Sequence, residues 1–225
     1  MARRVLIVVT SHAQLGTTGQ KTGLWLEELA VPYNAFVRAG ANIDIASPLG
    51  GRPPVDPKSD GEIKGEVKDF LADPEAQRKL DNTLKLAEIK GAYDAVFVAG
   101  GHGVMWDLPR DERLQAMLAD AYDKGKVVAA VCHGPAALVG VRLRSGQPLV
   151  AGKRVAGFSD EEEKAVGLDK AVPFLLEAKL KELGGKYERG PLWAPFVVSD
   201  GRLITGQNPA SSRLVADQVL AAFGG

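Results

Sequence analysis

Short, continuously apolar runs alternate along the chain with longer segments of helical period. Val5 to Thr10, Asn42 to Ser47, Tyr93 to Ala99 and Lys126 to Val131 are rich in β-branched or small apolar residues. Runs of this length, apolar on both faces, predict strands buried in a parallel sheet. Gly23 to Ala39 places Leu24, Leu29, Phe36 and Val37 at helical spacing and stops at Gly40, a helix-ending residue. Pro32 inside that segment predicts a kink or break. Residues 66–90 are helical in pattern and charged, and Asp111 to Lys124 predicts another helix. Residues 50–65, rich in Gly, Pro, Asp and Lys, form an excursion from the sheet. Gln147 to Gly157 and Val197 to Thr205 predict β-hairpins, the second turning at Asp200-Gly201. Asn208-Pro209 caps a last helix that reaches Phe223.

Strand–helix alternation implies an α/β fold, a parallel sheet with helices on both faces. Sites in such sheets form beyond the C-terminal ends of the strands. Three turns should therefore converge: the polar loop Ser11 to Gly19, the Gly100-Gly101-His102-Gly103 turn, and the turn at Cys132. The 225 residues suffice for one sizeable domain, and no repeat, low-complexity tract or linker divides them.

Charge and cysteine content narrow the function. Twenty-eight basic and 28 acidic residues cancel, which gives no support to a nucleic-acid or anionic-membrane partner. One cysteine excludes an internal disulfide framework and fits a reducing compartment. No apolar run approaches membrane-spanning length, and the N-terminal apolar run is too short and too β-branched for a signal peptide. The expectation is a soluble cytoplasmic protein.

That single cysteine lies where a nucleophile would. The run Lys-Val-Val-Ala-Ala-Val enters Cys132, and His133, Gly134 and Pro135 come next, before a helix-like Ala-Ala-Leu-Val. Strand, tight turn and helix make the elbow that exposes a nucleophile, and the small residues Ala130 and Gly134 allow the bend. A helix N-terminus there is expected to favour thiolate over thiol. Without its surroundings, Cys132 would read as a small buried hydrophobe.

A thiol nucleophile needs a base, and the chain has only His12, His102 and His133. No histidine lies beyond residue 133, which disfavours the order of papain-like proteases and of a glutaminase triad. His133 is adjacent to Cys132 and acts only if the elbow turns both side chains to one pocket. His102, on a glycine-rich loop, reads as a pocket-shaping donor. The paired glycines 100 and 101 are compatible with an oxyanion site or with simple turn punctuation. Among acids, Ser159 and Glu162 form a capping box, Glu161 reads as surface charge, and Glu163 is not needed for the cap. Glu27 and Glu28 both suit the first turn of a helix.

Together these motifs resemble the ThiJ/PfpI superfamily, and within it the heat-shock-protein-31-like branch of glutathione-independent glyoxalases. The resemblance spans nearly the whole chain, through Lys21-Thr-Gly to Glu28, Ile43 to Ser47, Ala99 to Gly103, Ala129 to Pro135, Val155 to Glu163 and Asp200 to Ala210. It implies a flavodoxin-like three-layer sandwich with a mostly parallel central sheet, and a homodimer. The single domain, 1–225, would carry a small lid-like insertion at about 51–90. It also implies catalytic roles for Cys132 as nucleophile, His133 as acid/base, Glu163 as triad acid and Glu28 as a protonated carboxyl beside the thiol. Gly101 and His133 would supply oxyanion N–H groups, with His102 and Gly134 about the substrate pocket. The implied reaction converts methylglyoxal and water to lactate, with no cofactor and no metal. Alternatives are a redox sensor or holdase chaperone on the same scaffold, a cysteine amidase or peptidase, or a protein deglycase. The loop 11–19 matches no pattern of the family.

Overall fold

The structure is a computed structural model that describes residues 2–59, 61 and 63–224. Strand β1 (Arg4–Val8) is buried beyond its first residue. Helix α1 (Leu26–Arg38) leads to β2 (Asn42–Ser47), which pairs with β1 in parallel, Val5 facing Ile43. The helix runs through Pro32 without interruption. Proline removes one backbone donor, and the buried packing of α1 outweighs that loss.

The expected helix over 66–90 is divided. Helices α2 (Gly65–Ala72) and α3 (Pro74–Asp81) meet at Asp73, whose carboxylate accepts from the Glu75 N–H at 2.8 Å. Proline at the first position of α3 disfavours a helical residue before it, so the chain turns there. Strand β3 (Leu84–Lys85) then joins the sheet beside β2.

Strand β4 (Ala95–Val98), buried throughout, pairs with β1 on the side away from β2. Helices α4 (Val104–Asp107) and α5 (Glu112–Asp123) come next, then β5 (Val127–Val131), also buried throughout. Chain direction across the sheet reverses between β1 and β4: β1 crosses to β2 one way and β4 to β5 the other. Right-handed crossovers accordingly place α1 and α5 on opposite faces. The reversal makes a crevice beyond the ends of β1 and β4.

After β5 the chain makes a 3-10 turn, Gly134–Leu138. The hairpin expected at 147–157 does not form. Leu149-Val150 and Val155-Ala156 are buried as adjacent pairs, so the segment lacks the two-faced alternation of a hairpin strand. Strand β6 (Arg154–Val155) leads to α6 (Asp160–Ala165) and α7 (Leu176–Glu182), and then pairs in parallel with β7 (Lys186–Tyr187). The second expected hairpin is present: β8 (Val197–Asp200) and β9 (Leu203–Gly206) are antiparallel, and β9 joins β5. Asn208 caps a short 3-10 turn ahead of α8 (Ser212–Ala222), which packs against α1. Seven strands in the order β3-β2-β1-β4-β5-β9-β8, all parallel except β8, lie between helical layers. This is the flavodoxin-like arrangement expected.

Phe97, on β4, is fully buried and meets Phe36 of α1 edge-on with ring centroids 5.9 Å apart. Phe97→Ala is expected to destabilise the protein by about 3–5 kcal/mol, measured by urea unfolding.

Candidate active site

Cys132 stands at the end of β5 with φ +60°, a left-handed conformation unusual for a residue with a side chain. Its N–H donates to the Gly206 carbonyl at 3.0 Å, and its carbonyl accepts from Phe158 N–H at 2.8 Å. Gly134 completes the bend; a Cβ there would lie 2.4 Å from the Val98 carbonyl. Gly134 thus serves close packing and does not line the cavity, contrary to its expected place about the pocket.

The elbow turns Cys132 and His133 to one side. His133 Nδ1 lies 3.3 Å from the Cys132 sulfur, and its Nε2 lies 2.7 Å from Glu163 Oε2. Glu163 sits on α6 and is held down to about 2 despite its burial, chiefly by its electrostatic interaction with the His133 ring and by hydrogen bonds from His102 and His133. An ionised carboxylate only accepts, so His133 carries its proton on Nε2 and turns a bare Nδ1 to the thiol. Burial, with His102 nearby, lowers the His133 pKa and keeps the ring neutral. A neutral imidazole facing a thiol can take its proton.

His102 does more than shape the pocket. Its Nε2 lies 2.8 Å from Glu163 Oε1, so one carboxylate holds two imidazoles whose ring centroids are 4.0 Å apart. Donor atoms of His102, His133 and Glu163 lie within 4.8 Å of one another, a spacing compatible with a metal ion. Both Nε2 atoms already bond Glu163, however, and a metal would draw them away from that carboxylate.

Glu28, in the first turn of α1, is fully buried behind the sulfur. Its Oε2 accepts from Gly100 N–H at 2.8 Å, Oε1 has no hydrogen-bond partner among the described residues, and the carboxyl interacts with the Cys132 thiol. Glycine is required at position 100, where a Cβ would lie 2.4 Å from Oε2. Burial pushes the Glu28 carboxyl well up, toward the neutral acid. The thiol itself is also pushed well up, by burial first and then by Glu28. The expectation of a thiol acidified by a helix N-terminus is corrected here, because the elbow leads into a five-residue 3-10 turn and the sulfur is enclosed. His133 N–H acts in the opposite sense, favouring the thiolate. The Gly101 N–H, beside it, has no acceptor among the described residues.

Above this cluster opens a cavity of about 380 Å³ lined by Cys132, His102, His133 and Gly101, together with Trp25, Phe158 and Trp193. Leu15 from the loop 11–19, and Asp56 and Lys58 from the insertion, also reach it. None of the three aromatic rings was singled out from sequence as a site residue, since aromatics in loops carry no spacing signal. Glu27, beside Glu28 on α1, stays exposed at the cavity edge, as a first-turn acid does.

Residues 22–222 match the DJ-1/PfpI family. The chain belongs to the DJ-1/PfpI family. It is 34% identical over 240 residues to the glutathione-independent glyoxalase HSP31 of Saccharomyces cerevisiae, covering 98% of each chain. Among solved structures it resembles Rapid Encystment Protein 24 KDa of Francisella tularensis, at 42% identity and a TM-score of 0.95 over 98% of each chain. It also resembles glyoxalase III of Candida albicans, at 33% identity and a TM-score of 0.90, covering 98% of this chain and 97% of that one. Within the DJ-1/PfpI family, then, the chain lies with proteins that carry the glyoxalase name.

Glu163 and His133 make stability fall in acid. A depressed carboxyl stabilises fully above its unfolded value of 4.5 and loses that contribution as pH falls toward about 2. A lowered histidine acts with the same sign, stabilising above its unfolded value of 6.5. Glu163→Gln is therefore expected to lower the melting temperature clearly at pH 7, with the gap to wild type shrinking by pH 3; thermal denaturation across that range measures it.

Proposed function

We propose that this chain is a glutathione-independent glyoxalase that converts methylglyoxal and water to lactate. The observation that carries the reading is the buried Glu28 carboxyl beside Cys132, whose sulfur also lies 3.3 Å from His133 Nδ1. Two proton-handling groups thus flank one nucleophile, as an internal redox isomerisation requires. Peptide hydrolysis has no evident use for the second.

His133 takes the thiol proton, and the sulfur adds to the aldehyde carbon C1. The former carbonyl oxygen takes a proton and a hemithioacetal forms. The free N–H of Gly101 and that of His133 face the developing oxyanion. A proton then leaves C1, the C2 oxygen is protonated, and an enediol results. Protonation at C2 and loss of the C1 hydroxyl proton leave a thioester, so C1 is oxidised and C2 reduced by the same electron pair. Water adds to the thioester, the C1–sulfur bond breaks, and lactate leaves with the thiol restored. Glu28 gives and recovers a proton in these transfers, which a permanently ionised carboxylate could not begin.

Relatives bearing the glyoxalase name along the full length of the chain support the reading. Among the described residues no helix is long and apolar enough to cross a membrane. The lone cysteine fits a reducing cytoplasm, and the family resemblance favours a homodimer that meets free 2-oxoaldehydes as part of a stress response. A redox-sensing role is less well supported, because oxidation favours an exposed thiolate and this thiol is buried and pushed up.

Cys132→Ala is expected to abolish lactate formation from methylglyoxal without glutathione while leaving the circular dichroism spectrum and melting temperature near wild type. Retained turnover would remove the covalent route. Glu28→Gln, an isostere of the neutral acid, is expected to lower kcat by about 100-fold or more with little change in KM. Because a carboxyl raised in the folded protein costs stability as pH climbs above its unfolded value of 4.5, the same variant should gain melting temperature over wild type as pH rises from 4.5 to neutrality.

A further inference from the structure

The cavity is much larger than methylglyoxal needs. Its volume of about 380 Å³ falls in the range of roughly 300–1,000 Å³ that encloses drug-sized ligands, whereas the side chain of methylglyoxal is a single methyl group. An aromatic series leads outward from the chemistry. The His133 and Phe158 rings are 4.3 Å apart between centroids, and Phe158 and Trp193 are 5.9 Å apart.

Trp193 is held at the rim by a support built for the purpose. Its backbone has φ +61°, and among the described residues only Cys132 shares the left-handed region with it outside glycine. Its N–H donates to Glu162 Oε1 at 3.0 Å, an oxygen that also accepts from Gln207 Nε2 and Asn208 Nδ2. Ser159 occupies the other Glu162 oxygen, and Asn208 further ties the Ala194 carbonyl. Glu162, Gln207 and Asn208 are wholly buried, yet the indole they position is 47% exposed and lines the cavity. A fixed strained backbone beneath an uncovered ring places the structure's effort on presenting that ring to something in the cavity.

We infer that Phe158 and Trp193 form an aromatic wall that selects aryl-substituted 2-oxoaldehydes, with Trp193 the specificity-determining residue. The inference rests on the glyoxalase reading of the site. With C1 bonded to the Cys132 sulfur, a ring on C2 extends along Phe158 toward Trp193. The reaction balances as for methylglyoxal: phenylglyoxal and water give mandelate, C1 being oxidised and C2 reduced.

The test compares kcat/KM for phenylglyoxal and methylglyoxal in wild type, Trp193→Gly, Trp193→Phe and Cys132→Ala. Glycine suits φ +61°, so Trp193→Gly deletes the ring without adding strain, and a thermal melt confirms folding. Wild type is expected to favour phenylglyoxal by about tenfold or more, the scale of discrimination by apolar contact in a pocket. Trp193→Gly should reduce that ratio by about tenfold, while Trp193→Phe keeps most of it. A ratio equal in wild type and Trp193→Gly, or a wild-type preference for methylglyoxal, would overturn the inference while Cys132-dependent turnover upheld the reaction. If neither aldehyde is turned over, the glyoxalase reading fails. Calorimetric binding of mandelate against lactate then decides on the wall: tighter mandelate binding lost in Trp193→Gly supports it, and equal affinities refute it.

Discussion

A cysteine held at φ +60° is the constraint on which the site depends. Such a backbone costs of order 1–3 kcal/mol and persists only where its surroundings leave no alternative. Here β9 binds its N–H, the segment entering α6 binds its carbonyl, and Gly134 lets the turn close against β4. Those contacts come from three parts of the chain far apart in sequence. Two belong to the central parallel sheet, whose burial supplies the stability that the strained turn draws on. The same bend that strains Cys132 brings its sulfur and the His133 ring to one side.

Electrostatics at the turn divide two carboxyls into opposite states. Glu28 and Glu163 are both buried, but Glu163 faces two imidazoles and is ionised, whereas Glu28 faces a thiol and one backbone N–H and holds its proton. In the proposed reaction, environments that separate two acids in this way suit Glu163 to orienting the base and Glu28 to donating a proton. Their partner, the enclosed thiol, is not intrinsically acidic. In the proposed reaction its activation therefore falls to its neighbours, through proton transfer to His133 and hydrogen bonding from a backbone N–H, and not to a helix dipole.

Much of this was legible in the residues. Strands β1, β4 and β5 announced themselves by continuous apolar runs, and Cys132-His133-Gly134 by sitting between such a strand and a turn. Ser159 and Glu162 were readable as a capping box, since that motif is local. That same Glu162 also gathers Trp193, Gln207 and Asn208 around one oxygen, and nothing local could indicate it. Errors arose where distant packing outweighed local pattern. The stretch 147–157 is buried in adjacent pairs and pairs with β7 instead of with itself, and the helix over 66–90 breaks at Asp73-Pro74 to send β3 to the sheet edge.

By itself, then, the sequence determined what depends on neighbours along the chain: strand and helix periods, caps and turns, and the placing of Cys132 and His133 side by side at the end of β5. Tertiary structure alone decided what depends on proximity between remote segments. It set Glu28 beneath the sulfur, joined His102 and His133 through Glu163, raised the thiol against expectation, and drew Phe158 and Trp193 into one wall. The reason is physical: periodicity and capping are short-range backbone effects, whereas protonation and pocket shape come from burial and through-space charge, which exist only once the chain has closed on itself.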